Sequence, residues 1–151
     1  MQKSLTTDYG FETKSLEKTG EFTGYGSIFH TADQQNDQIM PGAFHWTLKQ
    51  WKAKNKLPFL LWQHTMQEPI GLWTRMQEDH RGLWVEGKLL LNIQRARDVY
   101  ELMRSGVVQG LSIGYYPILS KKQGNVRKLL QIDLQEISLV LRPAHPEAVI
   151  S

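Results

Sequence analysis

The chain has 151 residues, enough for one domain with its own core, and its 40% hydrophobic and 22% charged content is that of a globular protein. It contains no cysteine, which excludes disulfides, thiolate catalysis and cysteine-ligated metals and fits an intracellular compartment. The net charge of +3 is mild and dispersed, "LPFLLW" and "KLLLNI" fall far short of a bilayer span, and "MQKSLTTDYG" lacks an apolar signal segment, so neither a membrane nor a nucleic acid is expected as a partner.

In chain order, residues 1–8 read as a tail. "FETKSLE" and "EFTGYGSIF" flank Lys18-Thr19-Gly20 and predict a hairpin. "HTADQQNDQIMPG" reads as a solvated loop, its acids Asp33 and Asp37 included. Phe44, Leu48 and Trp51, at i, i+4 and i+7, predict one face of a helix that Asn55 and Pro58 end. "KQWKAKNK", the densest basic cluster, mixes aromatic and basic residues as some nucleic-acid binders do, but reads as a solvated helix face and turn. "LPFLLWQH" predicts a buried strand, and "IGLWTRMQED" and "LWVEGKLLL" predict two strands about a turn ending in Gly82. "NIQRARDVYELMRSG" predicts a helix capped by Asn92, with Ile93, Ala96, Val99, Tyr100 and Met103 as its apolar stripe and Gly106 just past its end. "VVQGLSIGYYPIL" is a strand that Pro117 interrupts or pushes to an edge, "SKKQGN" a turn, "VRKLLQIDL" and "QEISLVLR" two further strands, and "PAHPEAVIS" a tail. Seven or eight strands in adjacent pairs, with two helices, predict a mainly β fold: an antiparallel barrel with helices at its edge.

The chemistry centres on "GLSIGYY". Alternation along a strand puts Leu111, Ile113 and Tyr115 on one face and Gly110, Ser112 and Gly114 on the other. Ser112 thus has no side chain at either same-face neighbour, and a substrate backbone can approach it; the structural alternative is a tightly packed site where Ser is merely small. The spelling G-x-S-x-G matches the nucleophile elbow of α/β-hydrolases, but "YYPILSKKQGN" has no helical stripe to follow the Ser, and 151 residues in paired strands do not make that sheet. A nucleophilic Ser needs a base and a group that orients it. His64 ends an apolar run, so its backbone is anchored while its ring emerges; His30 and His80 lie in exposed, turn-like settings, His45 beside the helix stripe and His145 in the tail. In "QEISLVLR", Glu136, Ser138, Val140 and Arg142 share a face. A carboxylate in mid-strand needs a partner, which an imidazole or Arg142 would supply; Asp133 is the competing acid. No H-E-x-x-H, EF-hand, Walker or Rossmann pattern occurs, so neither metal nor cofactor is expected.

Taken together, "FTGYGSIFHTADQQNDQIMPGAF", "LLWQH", "EPIGLW", "RGLWVEGKLLL", "GLSIGYY" and "EISLVLRPAHPEA", in this order, resemble the bacteriophage prohead serine proteases of the HK97 type, relatives in fold of the herpesvirus assembly proteases. The resemblance covers nearly the whole chain. It implies a β-barrel surrounded by helices, with Ser112 as nucleophile, His64 as general base and Glu136 as third member. The herpesvirus relatives use a second His, and "PAHP" departs from the family's P-A-N-P, so His145 is the alternative third member. Arg142, with Gly110 and Gly114, is the candidate for oxyanion and substrate contacts. The implied activity is a serine endopeptidase without cofactor, acting inside the immature capsid in the host cytoplasm, with a prophage among the sources the resemblance allows, on scaffold or the scaffold-like region of the major capsid protein, and on itself. A homodimer is carried over from the herpesvirus relatives alone. The family's C-terminal extension is missing after Ser151, which suggests a self-trimmed or deliberately trimmed single domain. The competing reading is a non-catalytic capsid-assembly or scaffold-associated protein that retains the fold.

Overall fold

The computed structural model of the protein describes residues 18–33 and 35–141 in full and residues 5–10 as backbone. Its elements are β1 (Leu5–Gly10), β2 (Glu21–Ile28), β3 (Asp37–Ile39), α1 (His45–Ala53), β4 (Phe59–Trp62), β5 (Thr65–Glu78), β6 (Gly82–Leu89), α2 (Gln94–Arg104), β7 (Gly110–Gln123) and β8 (Val126–Val140). The eight strands form one sheet in the order β1-β7-β8-β4-β5-β6-β2, with β3 on β8. All pairings are antiparallel except β3 with β8 and β4 with β8. The sheet curls into a half-barrel that brings β2 over β1 and β7. Gly26 makes this approach possible: a Cβ there would stand 3.1 Å from Ile137 Cδ1 of β8 and 3.7 Å from Ile113 Cγ2 of β7.

The core lies inside the curl. Phe22, Val85, Ile113, Leu134, Ile137 and Leu139 meet there, with the alternation of the pleat interrupted in β8 between Leu134 and Ile137. Helix α2 adds Ala96, Val99 and Met103, all fully buried, and burial of Val99 and Met103 is worth about 1.5–3 kcal/mol each. It ends in a Schellman motif, with the Gly106 and Val107 N–H groups donating to the Met103 and Leu102 carbonyls. Helix α1 lies on β8, where the Trp51 indole N–H donates to the Leu134 carbonyl at 2.8 Å and Thr47 Oγ1 accepts the Leu134 N–H at 3.0 Å. No helix among the described residues is long and apolar enough to cross a membrane.

Several local expectations change. Residues 5–8, read as tail, lie in β1 and pair with β7. "FETKSLE" falls outside the described residues. The loop from His30 contains β3, and its acids are buried: Asp33 Oδ1 accepts the Gln35 and Asp37 N–H groups, and Asp37 forms a two-pronged pair with Arg127 at 2.8 and 2.9 Å. Ile93, not Asn92, holds the N-cap position of α2, without a side-chain bond, and is 37% exposed instead of joining the stripe. Strand β7 runs through Pro117, which lies beyond the end of its pairing with β1, so its missing N–H faces an unpaired edge. The two final strands are one: "VRKLLQIDL" and "QEISLVLR" join at Gln135, which the register skips between Leu134 and Glu136.

Candidate active site

Three neighbouring strands build the site. Ser112 of β7 stands opposite Ser138 of β8, and Gly114 opposite Glu136. Strand β4 runs parallel to β8 on its other side, with Trp62 beside Leu139, and hands the chain to β5 through Gln63 and His64. Trp62 and Thr65 pair across this two-residue connection, and Gln63 and His64 have φ of 54° and 60°, the left-handed backbone that a type I′ hairpin turn requires. Neither is a glycine, so the turn is strained and the surroundings hold it. The Gln63 N–H donates to the Leu139 carbonyl at 3.0 Å, its side-chain oxygen accepts the Leu141 N–H at 3.0 Å, and the His64 N–H donates to Ser138 Oγ at 3.0 Å.

The turn aims the His64 ring between Ser112 and Glu136. His64 Nε2 lies 2.6 Å from Ser112 Oγ, and Nδ1 lies 2.8 and 2.9 Å from the two carboxylate oxygens of Glu136. A carboxylate can only accept, so it selects the Nδ1–H tautomer and leaves the Nε2 lone pair facing the Ser112 hydroxyl. Ser138 Oγ donates to Glu136 Oε1 at 2.7 Å, so the carboxylate takes donors from both sides. Ser112 and Ser138 are fully buried and Glu136 nearly so, whereas the His64 side chain keeps 28% exposure. A buried carboxylate flanked by two donors is the low-dielectric arrangement that makes such bonds strong.

Gly114 plays a part that the strand pattern alone does not reveal. A Cβ at this position would stand 2.6 Å from Glu136 Oε2 and 2.8 Å from its Cδ. The space beside Ser112 on that side therefore holds the Glu136 carboxylate and is not open to a substrate backbone. Gly110 pairs with Val140. Arg142 and His145 lie outside the described residues. Asp133, the competing acid, pairs with Tyr116 further down the hairpin and lines a hollow beside Trp46 and Trp51, apart from His64. His30, His45 and His80 are exposed and do not enter the network. Among the described residues no three His, Cys, Asp or Glu side chains converge as a metal site would need. Ser138 is the member that sequence reasoning missed; its only signal was its place on the Glu136 face.

The family model for caudovirus prohead serine proteases matches residues 9–151. The chain belongs to this family. Among relatives of this prohead protease family member is the prohead protease of Enterobacteria phage HK97, 34% identical over 140 residues that cover 89% of the chain and 60% of that protein. The chain thus spans about three fifths of that relative's length. In fold it resembles the capsid assembly protease of bacteriophage T4, with a TM-score of 0.71 over 93% of this chain and 98% of that one at 10% identity. The mainly β architecture agrees with the family resemblance read from the sequence.

Proposed function

We propose that the protein is a serine endopeptidase of phage capsid maturation, with Ser112 as nucleophile, His64 as general base and acid, and Glu136 as the orienting carboxylate. The observation that carries this reading is the continuous chain Ser112 Oγ–His64–Glu136 with links of 2.6 and 2.8 Å, well within reach for proton transfer. Ser112 Oγ attacks the scissile carbonyl carbon while its proton passes to His64 Nε2. The tetrahedral oxyanion collapses, His64 gives the proton to the departing amine, and an ester of Ser112 remains. Water then attacks that ester with His64 again as base, releasing the acid and restoring Ser112. Glu136 holds the tautomer and stabilises the imidazolium that forms at each step. Because His64 is the exposed member, the peptide reaches Ser112 from the side of the β4–β5 turn. Ser138 is a positioning residue, joining the turn's backbone to the carboxylate. Oxyanion donors are proposed to be backbone N–H groups and, on the family resemblance, Arg142.

The relatives' names, prohead protease and capsid assembly protease, support a role in capsid assembly, and the family resemblance extends the proposal to its substrates: scaffold, or a scaffold-like region of the major capsid protein, and this chain itself, inside the procapsid. Co-expression with the capsid and scaffold proteins of the same phage tests it. Wild type is expected to cleave at least one of them, and Ser112→Ala and His64→Ala to lose cleavage by roughly a millionfold in rate. Cleavage that survives Ser112→Ala ends the assignment. An uncleaved partner set with intact packaging of the chain would support the non-catalytic assembly role instead.

A further inference from the structure

A groove of about 790 Å³ runs between α1 and the second half of β5. Lys49, Lys52, Lys56 and Arg75 line it, with His45, and no carboxylate does. Arg75 already pairs with Glu86 at 3.3 Å. The three lysines are exposed and form no ion pair among the described residues. The whole chain carries a surplus of only three positive charges, so three uncompensated lysines on one groove concentrate a charge as large as that surplus.

The floor of the groove is apolar. Leu48, Leu57 and Met76 form it with the edge of Trp73. A second hollow of about 380 Å³ shares Lys56, Leu57 and Trp73 and extends the trough to Phe59 and Leu72. These two pair across β4 and β5 and remain 51% and 44% exposed, so they set two large apolar side chains side by side at the surface. The apolar end is the nearer to the Ser112 network, since Phe59 pairs with Glu136 of β8 and with Leu72 of β5, and the cationic residues lie beyond Leu72.

We infer that this trough is a docking site for an acidic peptide segment with apolar anchor side chains, its carboxylates meeting the lysines and its anchors lying over Phe59 and Leu72. A nucleic acid shares the negative charge, but single strands draw about 1–3 kcal/mol per base from stacking on open ring faces. Trp73 is only 4% exposed, Lys54 already sits over the Trp51 ring at 5.2 Å, and the half-exposed Phe59 is a single ring set edge-on to Trp51 at 6.4 Å, so successive bases would find no run of open faces. The trough therefore favours a peptide. Charge on the rim speeds encounter, and the buried anchors set residence time. Docking here requires neither Ser112 nor the cleavage reaction, so it stands or falls apart from the proteolytic reading.

The test uses the full-length Ser112→Ala protein and fluorescence anisotropy. One labelled probe is a peptide of about four helical turns with glutamate on one face and leucine on the other; a second has lysine for glutamate, and a third is an oligothymidylate. The glutamate peptide is expected to bind at least about tenfold tighter than the lysine peptide and to weaken as salt rises. The double variant Lys49→Glu/Lys52→Glu is expected to lose about tenfold, and Leu72→Ser several-fold with an unchanged salt slope. Lys56→Glu alone, an exposed change, is expected to weaken binding about threefold and reports on the groove if the double variant melts early. Equal binding of the two peptides, wild-type affinity in the lysine variants, tighter binding of oligothymidylate, or no binding of any probe overturns the inference.

Discussion

Ser138 links two things that His64 needs. It accepts the His64 N–H and donates to Glu136, so it ties the strained turn to the carboxylate that orients the ring. Ser138→Ala leaves the volume nearly unchanged but removes both bonds. A hydrogen bond to a charged group is worth about 1.5–3 kcal/mol, which predicts a roughly ten- to hundredfold loss in the acylation rate. The loss is expected in kcat with KM nearly unchanged and with an altered pH–rate profile, beside a loss of about 1–3 kcal/mol in stability from the carboxylate left short of a donor; a change confined to stability would reduce Ser138 to packing. The residues of the proposed triad were legible because each is an unusual residue for its place: a Ser between glycines, a His closing an apolar run, a Glu in mid-strand. Ser138 and Gly114 were not, since their roles depend on register. Gly114 faces Glu136 only because β8 skips Gln135, and no residue pattern announces a skipped residue.

At the scale of elements, two polar clusters fasten the strands. Asp79 closes the β5–β6 turn by accepting the Arg81 and Gly82 N–H groups and the Tyr25 hydroxyl from β2, at 2.8, 3.1 and 2.5 Å. Burial alone would push the Asp79 carboxyl up, but the hydrogen bond from Tyr25, with those from Arg81 and Gly82, holds it below its ordinary value. Burial, then the bond to Asp79, holds the Tyr25 hydroxyl above its own. Because the folded Asp79 value lies below the unfolded one, near 3.9, its contribution is fully present above that pH and is lost as pH falls through the folded value. Asp79→Asn is expected to flatten the fall in stability below about pH 4, measured by urea midpoints across pH; an unchanged slope would remove Asp79 from the account. The second cluster is Asp37 with Arg127, which joins β3 to β8. Arg127→Ala strands a carboxylate that is only 3% exposed and is expected to cost about 2 kcal/mol, with Arg127→Lys recovering part of it. The sequence read Asp37 as solvated because its partner is 90 residues away. The same distance effect hid β1, which pairs with β7 at least 100 residues further on.

For the molecule as a whole, curvature decides whether the core is closed. Strand β2 reaches β7 and β8 only because position 26 has no side chain, so Gly26→Val is expected to overpack against Ile137 and Val85 and to cost about 1–3 kcal/mol. A midpoint equal to wild type would mean that the curl tolerates a wider gap. The mainly β class, the paired strands and the two helices were readable from alternation and helical spacing, because those patterns report burial directly. The half-barrel was not, since curl arises from bulges and from which distant strands become neighbours. Strand β8 shows why: it lies between β7, its hairpin partner, and β4, with which it runs parallel although 77 positions separate the paired residues.

That placement also governs timing. His64 is translated early and Ser112 later, but the carboxylate that orients the ring, and the hydroxyl that steadies the turn beneath it, both sit on the last described strand. Parallel pairing of β4 with β8 closes a long loop and is slow to form. A nascent chain therefore holds the proposed nucleophile and base on separate, unaligned strands until β8 slides between them. A polypeptide whose proposed target includes its own kind is thus harmless while it is being made, and its competence is set by completion of the fold.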